Sequence, residues 1–253
     1  MNRSDRTTRR AVMAVIGAAL AVAGAPTAHA QAAASATAAG GVMPPPPPGS
    51  VAAARTDVDR WQGAIGVRGS IVRDPGFDPF SIGDGLAQMS FALLHTLRGG
   101  VGMVPALGVA FDLGGSDAPA RGVGAELAMW RLALVLEPRF MSAPGFYCDV
   151  RVAPGLVHAA ATLHDPAAPA PLATSYWTSS FDASLGAGVR LNTWMAPVGL
   201  WLVGEGGYGW TPRHALTLVP ALPGSDAAKA GATDLGGLSP RGLFFRVGLA
   251  VGY

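Results

Sequence analysis

Cysteine is almost missing: Cys148 stands alone in 253 residues, so no disulfide framework holds this chain together. Lysine is reduced to one residue, Lys229. Charged residues make up only 13% of the chain and sum to +2, where an ordinary domain carries about 25% charge. Half the residues are hydrophobic, so disorder driven by charge is excluded, and the small net charge excludes a strongly basic nucleic-acid surface. A chain with so little charge cannot cover its whole surface with it, and part of that surface is expected to face something other than water. Long apolar runs are also missing. Beyond residue 30 no uncharged stretch reaches the roughly 18 apolar residues of a membrane-crossing helix. What the chain has in quantity is glycine (35) and proline (21).

Residues 1–30 read as an export leader. Arg3, Arg6, Arg9 and Arg10 form a basic start, Ala11–Gly24 is uncharged and mostly apolar, and Ala28-His29-Ala30 is a small-x-small cleavage site. The leader takes four arginines and Asp5 out of 18 basic and 16 acidic residues, so the remainder has a formal charge of −1. The basic pI of about 9.0 therefore implies no acidic partner. Residues 31–58 are Ala-rich and then carry Pro44–Pro48 followed by Gly49-Ser50. A proline run lacks amide donors and favours an extended polyproline helix, so this segment is expected to be a tether.

From residue 59 to 253 the pattern has period two, the signature of strands. At the C-terminus Leu243, Phe245, Val247, Leu249, Val251 and Tyr253 share one face, and Gly242, Phe244, Arg246, Gly248, Ala250 and Gly252 the other. A soluble sandwich puts polar groups opposite its core; here one face is large and apolar while the other is mostly small, as inside a narrow barrel. The alternation recurs near residues 61–71, 88–98, 106–113, 122–137, 146–156, 181–192 and 198–205, making eight strands. Connections at 74–85, 114–121, 164–177 and 212–240 alternate with tighter ones near 98–100, 138–145 and 193–197. Long alternating with short is the layout of an outer-membrane barrel. Strands can cross lipid only if the sheet closes, since no backbone group is left unpaired there.

A lipid-facing Arg or Lys costs about 2–4 kcal/mol at the midplane, so charges are expected inside. Parity assigns Arg68, Arg98, Asp112, Glu126, Arg131, Asp149, Arg151, Asp182, Arg190, Glu205 and Arg246 to the lumen, as a nearly self-neutralising network. Glu126 and Arg131 have opposite parity. A β-bulge near Met129-Trp130 would bring both inward and turn Leu127 and Met129 outward; the alternative is that one charge sits at a membrane boundary. Trp61, Phe146, Trp194, Tyr208, Trp210 and Tyr253 suit interfacial girdles.

The leader, the eight alternating strands and the terminal Leu243, Phe245, Val247, Leu249, Val251, Tyr253 run resemble the small Gram-negative outer-membrane barrels of the OmpA/OmpX/OmpW-like class. The resemblance is architectural and covers about residues 59–253. It implies an eight-stranded antiparallel transmembrane up-and-down β-barrel in the cell outer membrane, monomeric and surrounded by outer-membrane lipid, whose terminal run is read by the barrel-assembly machinery. This chain departs from the class member with a periplasmic domain after the barrel, since its linker precedes the barrel instead.

Chemistry is sparse. His95, His158, His164 and His214 form no metal pair at i, i+2 or i, i+4. His164-Asp165 falls in the same expected loop region as Ser175 and Ser179. Cys148 reads as a small hydrophobe. No enzyme activity and no cofactor are expected. The leading expectation is a structural or surface-interaction role through the outer loops, with an unidentified surface ligand. A narrow passive channel and a soluble secreted β-sandwich are the alternatives.

Overall fold

The structure is a computed structural model that describes residues 59–97, 102–120, 123–143, 145–166, 170–192, 198–221 and 232–253. The expected leader (1–30) and linker (31–58), and also Arg98 and Trp194, lie outside the described residues.

The strands, in chain order, are β1 (Trp61–Val72), β2 (Gly85–Thr96), β3 (Met103–Ala120), β4 (Val123–Ala143), β5 (Phe146–His164), β6 (Leu172–Arg190), β7 (Gly199–Trp210), β8 (His214–Pro220), β9 (Thr233–Leu238) and β10 (Gly242–Gly252). β1 to β7 pair antiparallel in sequence, β7 pairs with β10, and β10 returns to β1. The closing seam runs from Gln62↔Gly252 to Val72↔Gly242. The expected closed eight-stranded antiparallel barrel is therefore present, and an open sandwich is set aside. β8 and β9 form a separate hairpin, tied to the tip of β6 through Leu172↔Pro220 and Ala173↔Val219.

The wall is uneven. β3 to β6 are 18, 21, 19 and 19 residues long, while β1, β2 and β7 have 12 and β10 has 11. The extra length lies at one end, called here the upper end; residues 59 and 253 lie at the lower. This corrects four expected connections, one of them 138–145, of which 138–143 belong to β4. Residues 114–120 belong to β3, not to a loop, and the β3–β4 connection shrinks to 121–122. Residues 172–177 belong to β6. The 212–240 connection carries the β8–β9 hairpin.

The bulge near Met129-Trp130 is also corrected. The β3–β4 register runs unbroken from Met103↔Phe140 to Ala120↔Val123, and the only β4–β5 irregularity lies between Met141 and Ala143. Glu126 is therefore exposed on the outer face, and Leu127 and Met129 are buried inside. The boundary alternative explains it: Glu126 stands above the apolar part of the wall, where a charge stays solvated.

Leu127 and Met129 point inward because the upper lumen is apolar. The 73–84 connection, with its short 3₁₀ helix Asp78–Phe80, and the β8–β9 hairpin fold over the upper mouth. Phe77, Phe80, Leu216, Leu218 and Leu238 have no exposed surface and pack with Leu127, Met129, Val157 and Tyr176. Burying each such side chain contributes about 1.5–3 kcal/mol, so the cap is a packed core. Its two parts touch closely: a Cβ on Gly76 would collide with the carbonyl oxygen of Gly237.

Candidate functional site

Below the cap, parity brings charges together. Asp112 of β3 is fully buried and receives Arg68 Nη1 of β1 at 3.0 Å, Arg131 Nη1 of β4 at 3.1 Å and Arg246 Nη2 of β10 at 3.2 Å. The Ser90 hydroxyl donates to it at 2.6 Å. Asp182 of β6 takes Arg68 at 2.5 Å and Arg131 at 2.8 Å. Arg131 also donates to Ser180 Oγ at 3.0 Å and to the Ala153 carbonyl at 2.7 Å. This layer links seven strands. The Phe244 ring lies under the Arg68 guanidinium, 4.1 Å from its centroid, which adds a cation–π contact.

A second layer lies toward the lower end. Arg151 Nη1 meets Glu205 at 3.1 Å and Glu137 at 3.6 Å, Arg139 Nε meets Glu137 at 2.8 Å, and Arg246 Nη1 bonds Glu205. Arg139 also donates to Gln62 and sits over the Tyr147 ring. Tyr147 and Trp201 pack against each other, and the Trp201 indole N–H donates to Asp59 at 2.6 Å. Five arginines and five carboxylates (Asp149 included) line the two layers, so their formal charges balance. Two small cavities of about 40 and 30 Å³, lined by charged and apolar side chains together, flank the upper layer. Each has room for a small number of waters.

The expected lumen residues Arg68, Asp112, Arg131, Asp149, Arg151, Asp182, Glu205 and Arg246 lie on the inner face, and the structure joins all but Asp149 into ion pairs; Asp149 borders the larger cavity. Arg190 is half-buried at the lower rim. Glu126 is outside. Sequence reading missed Glu137, Arg139, Tyr147 and Trp201. Glu137 and Arg139 share parity with Arg131; Glu137 closes the expected 122–137 strand, and carrying β4 two residues further reaches Arg139. His164 does not meet the two serines: Ser175 and Ser179 register with Ala160 and Leu156.

The outer face is apolar. Leu134, Leu185, Leu243, Val251 and Tyr253 are each more than half exposed, and Phe245 and Leu249 of the terminal run are exposed beside them. Val247 shares their face and is half-buried. Near the upper edge of this belt, Trp130, His158 and Trp177 stand side by side on β4, β5 and β6.

No family model matches the chain, and no curated protein does. Among solved structures, the chain is similar to Ail, the attachment invasion locus protein of Yersinia pestis, crystallised with the heparin analogue sucrose octasulfate (11% identity, 76% of this chain and 96% of that one, TM-score 0.42). It is also similar to the outer membrane protease OmpT from Escherichia coli (6%, 76% and 96%, 0.43) and to a major outer membrane protein from Thermus thermophilus (14%, 76% and 99%, 0.43). At these values the likenesses carry no weight for function.

Proposed function

We propose that this chain is an outer-membrane β-barrel with a closed lumen, and that its role is structural or surface-interacting, carried by the outer cap. In this reading the leader exports it, the barrel-assembly machinery inserts it through the terminal run, and the upper end faces outward from the cell. The observation that carries the reading is the inversion of the fold: charges are paired inside, while a continuous belt of large apolar side chains faces out. Exposed apolar area on that scale is costly in water and favourable in lipid. The cap supports the surface role. Its apolar core fixes the 73–84 connection and the β8–β9 hairpin in one arrangement, and a fixed surface loses less entropy on binding a partner.

The test is the electrophoretic mobility of the refolded full chain, unboiled and boiled, followed by planar-bilayer recording. A mobility shift on boiling with no reproducible open level is expected. Solubility in plain buffer without a shift would defeat the membrane reading. A reproducible open level would favour the narrow channel, with the two cavities as its widenings.

A further inference from the structure

At its lower edge the apolar belt gives way to polar groups beside β1. The outward residues of β1 from Trp61 to Ile71 carry no charge and span about 25 Å along the barrel axis at the usual rise and tilt, the height of an outer-membrane apolar band. Trp61 therefore marks the lower boundary. It registers with His95 on β2, and the two rings pack at 4.4 Å with 34° between their planes. His95 Nδ1 lies 3.0 Å from the Arg60 carbonyl oxygen. A carbonyl only accepts, so Nδ1 carries the hydrogen and the neutral ring is left with Nε2 as a lone-pair acceptor. Nε2 reaches the surface with no partner among the described residues. Arg60 is exposed, and its guanidinium is likewise unpartnered among them. One row up, Gly63 leaves a notch, since nothing lies within 4 Å of where its Cβ would stand. Leu93 on β2 and Val251 on β10 register with Gly63 and wall the notch with exposed aliphatic surface. No Asp or Glu of β1, β2 or β10 faces outward.

We propose that Trp61, His95, Arg60 and the Gly63 notch form a binding site for a phospholipid of the inward-facing leaflet whose headgroup carries its own N–H donor, an ethanolamine phospholipid. One acyl chain fills the notch between Leu93 and Val251. The Arg60 guanidinium takes the phosphate, and the ammonium donates a hydrogen bond to His95 Nε2. An indole at the interface holds any lipid; the fixed tautomer of His95 makes this site selective. A trimethylated ammonium keeps the charge and loses the N–H, so a choline headgroup would leave Nε2 without a donor. The site rests on the outer-membrane reading, in which the lower end faces into the cell, and the upper cap takes no part in it.

The test uses the full chain refolded in uncharged maltoside micelles in mildly alkaline buffer. It is titrated with phosphatidylethanolamine, its N-methyl and N,N-dimethyl derivatives, phosphatidylcholine and diacylglycerol, all with the same brominated chains, and read by quenching of tryptophan emission. The first three lipids retain an N–H and are expected to bind alike, about fivefold or more tightly than phosphatidylcholine, the value of one hydrogen bond. Phosphatidylcholine should in turn bind more tightly than diacylglycerol, through its phosphate. His95→Phe keeps a ring against Trp61 and removes the acceptor, and it should bring the four phospholipids level. Arg60→Gln should narrow the gap to diacylglycerol and leave the ethanolamine–choline ratio unchanged. A gradual fall along the methyl series would overturn the proposal, by making headgroup size the cause. Equal binding of the ethanolamine and choline lipids by the native chain would overturn it too, as would a preference that survives His95→Phe. Displacement by soluble phosphoethanolamine at equal concentration would also overturn it, by making the ligand a solute. If His95→Phe does not fold, the methyl series on the native chain and Arg60→Gln still decide. Failure of the heat-induced mobility shift in the native chain would instead defeat the membrane reading itself.

Discussion

Arg68 of β1 and Asp182 of β6 meet at 2.5 Å across the lumen, although β10 and β7 separate their strands in the sheet. Ladder hydrogen bonds join only neighbouring strands, so this contact and its companions tie the barrel wall together through its interior. The tie depends on completeness. A buried pair contributes little over an apolar filler, but removing one partner strands the other charge at a cost of about 3–5 kcal/mol.

Asp112→Ala removes the carboxylate shared by Arg68, Arg131 and Arg246. A loss of about 3–5 kcal/mol is expected, read as a lower urea midpoint for the micelle-refolded barrel. Replacing Arg68 and Asp182 together by Met and Leu should cost less than the two single changes summed, because the pair is coupled. Additive losses would show that the central layer is not a network.

The strands and the sense of each face were legible because a lumen wall of alternating small or charged and large apolar residues follows a period of two. The equation of inward with polar was the limit of that reading. It holds at Arg68, Asp112 and Arg246 and fails at Leu127 and Met129, which face inward onto Phe77, Phe80 and Leu216. A residue's face depends on parity, but the chemistry of the inner face changes with height. Nothing within β4 announces that two distant connections fold down over it. Arg139 was lost for a different reason: β4 continues beyond the point where a membrane-sized strand was expected to stop, and Glu137 sat at that expected end.

Phe80→Ala tests the cap. Phe80 is fully buried between the 3₁₀ helix and the upper lumen wall, so truncation leaves a cavity and a local cost of about 3–5 kcal/mol. The loss should fall on the cap. Faster proteolysis within residues 73–84 is expected, with the unboiled barrel band unchanged. Loss of that band would mean that cap and barrel fold as one cooperative unit.

Gly76→Ala tests the same contact from the backbone. The new methyl would overlap the Gly237 carbonyl oxygen, which a rigid strand end cannot yield cheaply. Accelerated amide exchange in both 73–84 and β9 is the expected result; exchange confined to 73–84 would show that the two segments move independently. Gly83→Ala is the control, since nothing lies within 4 Å of a Cβ there.

The outer face supplies a depth test within a single strand. Leu134 and Glu126 both point outward from β4, but Leu134 is 67% exposed in the middle of the apolar belt and Glu126 lies above the Trp130 row. In phospholipid vesicles Leu134→Arg should destabilise the barrel by about 2–4 kcal/mol, the midplane cost of a lipid-facing arginine, while Glu126→Arg should cost about 0–1 kcal/mol. The measurement is the urea midpoint of each variant in vesicles. A soluble protein would show the reverse of this gradient or none, because an arginine on a water-facing strand is tolerated wherever it stands. Equal midpoints for the two variants would therefore move the belt out of the membrane, whatever the gel mobility of the native chain.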